Sequence, residues 1–164
     1  MEGILKISRF GGTEEYSFES GTITFLNGTV SLNVKAAKCV SGLADTAGLK
    51  ALPIYTLIFK GSLELLSPRK VLRFGSSDAD STFYYVEHQK VEESSLEIFE
   101  VTDEAITARI SGTTVDVNNY EGSKPPAKLE IVGRFVKREG RQGNSGRAHQ
   151  TNINRRGKPG QWLK

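Results

Sequence analysis

Thr22-Ile23-Thr24-Phe25-Leu26 and Thr29-Val30-Ser31-Leu32-Asn33-Val34 flank the dipeptide Asn27-Gly28. Asn-Gly adopts the two left-handed conformations of a type I′ turn at low cost, and the twist of that turn suits a two-residue hairpin. Such a turn predicts Phe25 opposite Val30, Ile23 opposite Leu32 and Thr24 opposite Ser31. The apolar pairs then share one face and the hydroxyl pair takes the other. A slip of one residue would turn every side chain to the wrong face, so turn chemistry and hydrophobic pattern specify the same register.

The same period of two extends outward from this hairpin. Ile4–Phe10 opens the body. Tyr55, Leu57, Phe59, Gly61, Leu63 and Leu65 alternate with mostly polar neighbours, and Pro68 ends that run. Arg69–Phe74 and Thr82–Lys90 read as further strands. Leu96–Val101 and Ala105–Ile110 flank Thr102-Asp103-Glu104 as a hairpin, Thr113–Val117 reads as a short strand, and Leu129–Val136 closes the body. Only residues 43–52 have helical spacing, with Leu43, Ala47 and Ala51 four apart before Pro53. About nine or ten short strands with at most one short helix predict an all-β fold. Several strands show one polar face, which favours an antiparallel two-sheet β-sandwich, jelly-roll-like or related, over a closed barrel. No fixed repeat supports a propeller or solenoid.

The charge is segregated along the 164 residues. Residues 138–164 hold seven basic residues and one acid, a net of +6. The other 137 residues hold 15 basic and 18 acidic residues, a net of −3. Apolar content falls at the same place: beyond 138 only Ala148, Ile153, Trp162 and Leu163 are apolar, among five glycines. Such a stretch cannot offset its ordering entropy by burial. The sequence therefore predicts a β-sandwich domain over 1–137 and a disordered basic tail over 138–164. Residues 87–104 carry seven acids against Lys90 and read as a solvated face.

Catalytic motifs are weak. His88 and His149 are the two histidines, and no serine or cysteine sits in a nucleophile motif. Cys39, beside Lys35 and Lys38, reads as a small buried residue at a strand end. No Cys/His spacing matches zinc, and Ser77-Asp78-Ala79-Asp80-Ser81 lacks the later ligands of a calcium loop, so it reads as a polar turn. No glycine-rich phosphate loop precedes a helix. These absences predict a non-enzyme with no cofactor and no metal. A lone cysteine, the absence of a leader-like N-terminus and the absence of a long apolar run predict a cytoplasmic protein with no membrane contact.

The tail carries the functional expectation. Arg147, Arg155, Arg156 and Lys158 suit electrostatic contact with a polyanion or an acidic surface, and Trp162 suits stacking on a base or docking in a protein groove. The leading reading is a non-enzymatic interaction or assembly domain. Its body binds a protein partner or itself, and its tail adds an electrostatic or fold-on-binding contact. The alternative is a coat-like protein whose tail binds nucleic acid. Three other uses of the tail compete with both: an inert solubilising terminus, a segment folded back on the acidic 87–104 surface of its own or a neighbouring chain, and an extension foreign to the domain.

Overall fold

The computed structural model describes residues 3–9, 11–42, 52–84, 88–115 and 125–139. The first hairpin has the predicted register: β3 (Gly21–Leu26) pairs with β4 (Thr29–Lys35), placing Phe25 against Val30, Ile23 against Leu32 and Thr24 against Ser31. Asn27 and Gly28 have φ of 50° and 72°, the left-handed pair that the turn demands. Ile23, Val30 and Leu32 are fully buried.

Two strands precede this hairpin, β1 (Gly3–Arg9) and β2 (Gly12–Phe18). After it come β5 (Lys38–Ser41), β6 (Ile54–Lys60), β7 (Val71–Phe74), β8 (Ala79–Tyr84) and β9 (His88–Lys90). The long strands β10 (Glu92–Val101), β11 (Ala105–Val115) and β12 (Pro126–Glu139) complete the set. The all-β expectation holds: among the described residues the only helical turn is a 3-10 turn at Leu63–Leu65. The helix expected over 43–52 falls on residues that, except Leu52, lie outside the described set.

The expected division into two antiparallel sheets does not appear in the hydrogen bonding. All twelve strands join one sheet, and β12 pairs with β3 in parallel. The reason lies in β12, which is long enough to change partner along one edge. Its Lys128–Val132 stretch pairs with β1, and its Phe135–Glu139 stretch pairs with β3, while β11 lines the other edge from Pro126 to Val136. Gly133 sits at the changeover. A Cβ there would lie 2.6 Å from the Phe18 ring, and one at Gly3 would lie 2.2 Å from it. The buried Phe18 ring therefore needs both glycines, which let backbone and ring approach closely.

A second joint lies at Val91, between β9 and β10. β9 pairs with β8, β10 pairs with β11, and the Val91 N–H donates to the Ser81 carbonyl at 2.8 Å. One path runs through the pairings β3–β4–β6–β8–β9, along the chain at Val91 into β10, and through the pairings β10–β11–β12 back to β3. From it β1, β2 and β5 branch off β12, and β7 branches off β10. One core fills the interior, with Leu5, Phe18, Tyr55, Leu57, Ile98, Ile131 and Phe135 all buried.

Other expectations need correction in detail. The alternation through Leu63 and Leu65 does not continue the strand. β6 stops at Lys60, Gly61 N–H turns to the Gly28 carbonyl, and the following turn buries Leu66 instead. Thr113–Val117 is no separate strand where described; its first three residues end β11. The run Thr82–Lys90 is divided between β8 and β9, with 85–87 outside the described residues. β12 runs two residues past the expected boundary at Lys137, since Arg138 and Glu139 still pair with Thr24 and Phe25.

Candidate interaction surface

Alternation along β2, β1, β12, β11, β10 and β7 sends one set of side chains into the core and the other onto a broad outer face. Register aligns that outer set in rows. One row runs Glu15, Lys6, Glu130, Ser111, Ser95, Arg73, and the next runs Thr13, Ser8, Lys128, Thr113, Glu92. Opposite charges meet along the rows. Lys6 lies 3.4 Å from Glu15, Arg109 lies 3.1 Å from Glu97, and Arg134 lies 3.5 Å from Glu104. All of these groups are well exposed, so each pair contributes about 0–1 kcal/mol. The acidic stretch seen in the sequence is therefore partly neutralised: Arg109 and Arg134 meet Glu97 and Glu104.

The face is not flat. Glu93 adopts φ 52°, and the register of β10 against β11 slips between Glu92 and Ser95, as a β-bulge does. Beside this bulge is a depression of about 390 Å³ lined by Lys6, Ser8, Glu93, Thr113, Lys128 and Glu130. A second hollow of about 340 Å³ lies past Thr113, toward Gln89 and Pro126. Lys, Glu and hydroxyl groups together make these hollows wettable and mixed in charge, and no aromatic ring lines either.

The inward set holds a polar group that sequence reasoning missed. Glu14 lies 3.5 Å from Arg9, both side chains are only 6% exposed, and the Tyr16 hydroxyl donates to Glu14 at 2.8 Å. The signal was present in Gly12-Thr13-Glu14-Glu15-Tyr16-Ser17-Phe18, whose alternation marks a strand. Two adjacent glutamates hid it, because one of them faces inward. A second buried polar contact joins the Tyr55 and Ser81 hydroxyls at 2.9 Å. Burial pushes the Tyr55 phenol up to about 12, against the smaller opposing effect of its hydrogen bonds.

The tail residues Arg147, Arg155, Arg156, Lys158 and Trp162, and His149, lie outside the described residues. His88 begins β9. Cys39 lies within β5, half-buried against the core, with its thiol 3.6 Å from the Ser41 carbonyl. Asp78 closes a polar turn, as expected: its N–H bonds the Gly75 carbonyl and its carboxylate accepts from the Gly75 N–H at 2.8 Å. Among the described residues no three His, Cys, Asp or Glu side chains group as metal ligands, and no helix is long and apolar enough to cross a membrane. No protein-family model matches this chain, and no curated protein matches it in sequence.

Proposed function

We propose that this chain is a non-enzymatic interaction or assembly domain. Its β body binds a protein partner or a second copy of itself, and its basic tail makes an electrostatic or fold-on-binding contact. The observation that carries this reading is the charge segregation: +6 over residues 138–164 and −3 over residues 1–137. An arm of one sign joined to a body of the other suits a two-part contact, in which the arm speeds encounter and the body supplies selectivity. Exposed apolar side chains on the body support the second half, among them Val40 at 55%, Val71 at 47% and Phe99 at 40%. The proposed setting is a reducing, cytoplasmic one, and no cofactor or metal enters the proposal.

The second reading, a coat-like nucleic-acid binder, rests on Arg155, Arg156 and Lys158 within four residues and Trp162 four residues beyond. One experiment separates the two. The full chain is used as bait with and without nuclease, and its binding to labelled oligonucleotides is titrated with salt. A partner that survives nuclease, with little oligonucleotide binding, supports the protein reading. Strong oligonucleotide binding whose salt slope falls by about two to three units on changing Arg155, Arg156 and Lys158 to Ala supports the nucleic-acid reading. Absence of any partner in both arms overturns both.

A further inference from the structure

β7 is an edge strand among the described residues. Among them it pairs only with β10, through Val71–Glu97, Leu72–Leu96, Arg73–Ser95 and Phe74–Ser94. The ladder begins one residue earlier, where the Ile98 N–H donates to the Lys70 carbonyl at 2.9 Å. In an antiparallel pair, hydrogen-bonded and non-hydrogen-bonded positions alternate. Leu72 and Phe74, in phase with the Lys70 carbonyl, therefore aim their backbone groups at β10, while the Lys70 N–H donates to the Ser67 carbonyl and the Arg69 N–H to the Ile98 carbonyl. Val71 and Arg73 aim theirs at the open side.

Side chains on β7 and on the strands behind it have a definite chemistry. Val71 is 47% exposed, and across the register lies Glu97, bonded to Arg109, whose guanidinium stands 5.4 Å over the Phe99 ring. Phe99 is itself 40% exposed, so two apolar side chains flank the Glu97–Arg109 pair. Arg69, Lys70 and Arg73 add three cations within five residues, and among the described residues none of them forms an ion pair. Arg69 holds a left-handed conformation, φ 65°, that turns the chain into β7.

We propose that the open edge of β7 docks an extended acidic segment of a partner protein, which adds to the sheet as a further strand. Val71 and Arg73 supply the backbone hydrogen bonds, and the three cations select carboxylates. The same cations refuse the other occupants. A second copy of β7 would bring three cations against three, and like charges across a ladder destabilise it. The basic tail is repelled for the same reason. Short length, Pro68 and cations are the devices that keep edges from indiscriminate pairing, and here they also set selectivity. This inference rests on the protein-partner reading and names the surface and the partner chemistry.

The test uses the full chain and a labelled eight-residue peptide of alternating glutamate and valine. Its controls are the same peptide with lysine for glutamate and one N-methylated at alternate residues. The acidic peptide is expected to bind at least about tenfold tighter than either control. Amide resonances of Val71 and Arg73 are expected to shift and to exchange more slowly with solvent. Arg69→Glu with Arg73→Glu, both on the exposed surface, is expected to invert the preference toward the lysine peptide without loss of thermal stability. Equal affinity for the three peptides, no effect of charge reversal, or perturbation confined to residues 140–164 would overturn the proposal. If the charge-reversed chain still retains a nuclease-resistant partner, the partner docks elsewhere and only the β7 site fails. If the wild-type chain retains none, the protein-partner reading fails as well.

Discussion

Two ion pairs join the same two strands, alike in chemistry and different in environment. Lys6 and Glu15 meet at 3.4 Å with side chains 42% and 37% exposed; Arg9 and Glu14 meet at 3.5 Å with both at 6%. The glutamates are neighbours in sequence, and the pleat sends one to solvent and the other inward. Exposed, such a pair trades one hydrated state for another of similar free energy. Buried, its ions have given up water, so their mutual attraction and the hydrogen bond that Tyr16 donates to Glu14 weigh more. Distance alone therefore says little about what an ion pair contributes.

The sharpest way to break this comparison is Glu14→Ala. It removes the carboxylate that faces the buried Arg9 guanidinium and accepts from Tyr16, and we expect a loss of about 3–5 kcal/mol in urea unfolding. A loss under about 1 kcal/mol would mean that the buried pair behaves like the exposed one.

A smaller effect comes from Tyr55, buried and polar like Glu14 but neutral. Its pKa is raised from 10 to about 12 by burial. The folded state therefore keeps its proton after the unfolded chain has lost it. This contribution is fully present below pH 10 and is lost as pH rises toward 12, reaching about 2–3 kcal/mol at most. Unfolding at pH 8 and at pH 11 checks the sign: the wild-type chain should lose more stability than Tyr55→Phe over that interval. Equal losses would show that this phenol is not the group responsible.

The smallest expected effect is Glu15→Ala, under about 1 kcal/mol and nearly abolished by high salt. Measuring it at two salt concentrations sharpens the contrast, since the Glu14 effect should be far less sensitive to salt.

Legibility of the fold followed the range of the interactions concerned. The β10–β11 hairpin was readable because its turn is local: the Thr102 hydroxyl and backbone both engage Ala105, three residues away. β2 is hard to see in the sequence, because charged Glu14 and Glu15 interrupt its apolar alternation, and β5 is hard to see because four residues carry too little pattern. Leu63 and Leu65 mimicked a strand because alternation over a few residues does not distinguish a strand from a tight turn followed by a buried leucine. Of the candidate surface, the acidic composition of 87–104 was visible beforehand. Its partial neutralisation by Arg109 and Arg134 was not, since those partners arrive from other parts of the chain.

By itself the sequence determined that the chain is built of strands, the register of β3 on β4, and the separation of charge between body and tail. Turn dihedrals, period-two alternation and composition act within a few residues of one another, so they can be read without the fold. Tertiary structure decided which strands became neighbours: β12 shared between β1 and β3, β9 passing into β10, and β7, among the described residues, paired on one side only. Backbone donors and acceptors are nearly the same in every strand, so they cannot choose a partner. The choice falls to packing between distant residues, as where the Phe18 ring fits only over Gly3 and Gly133.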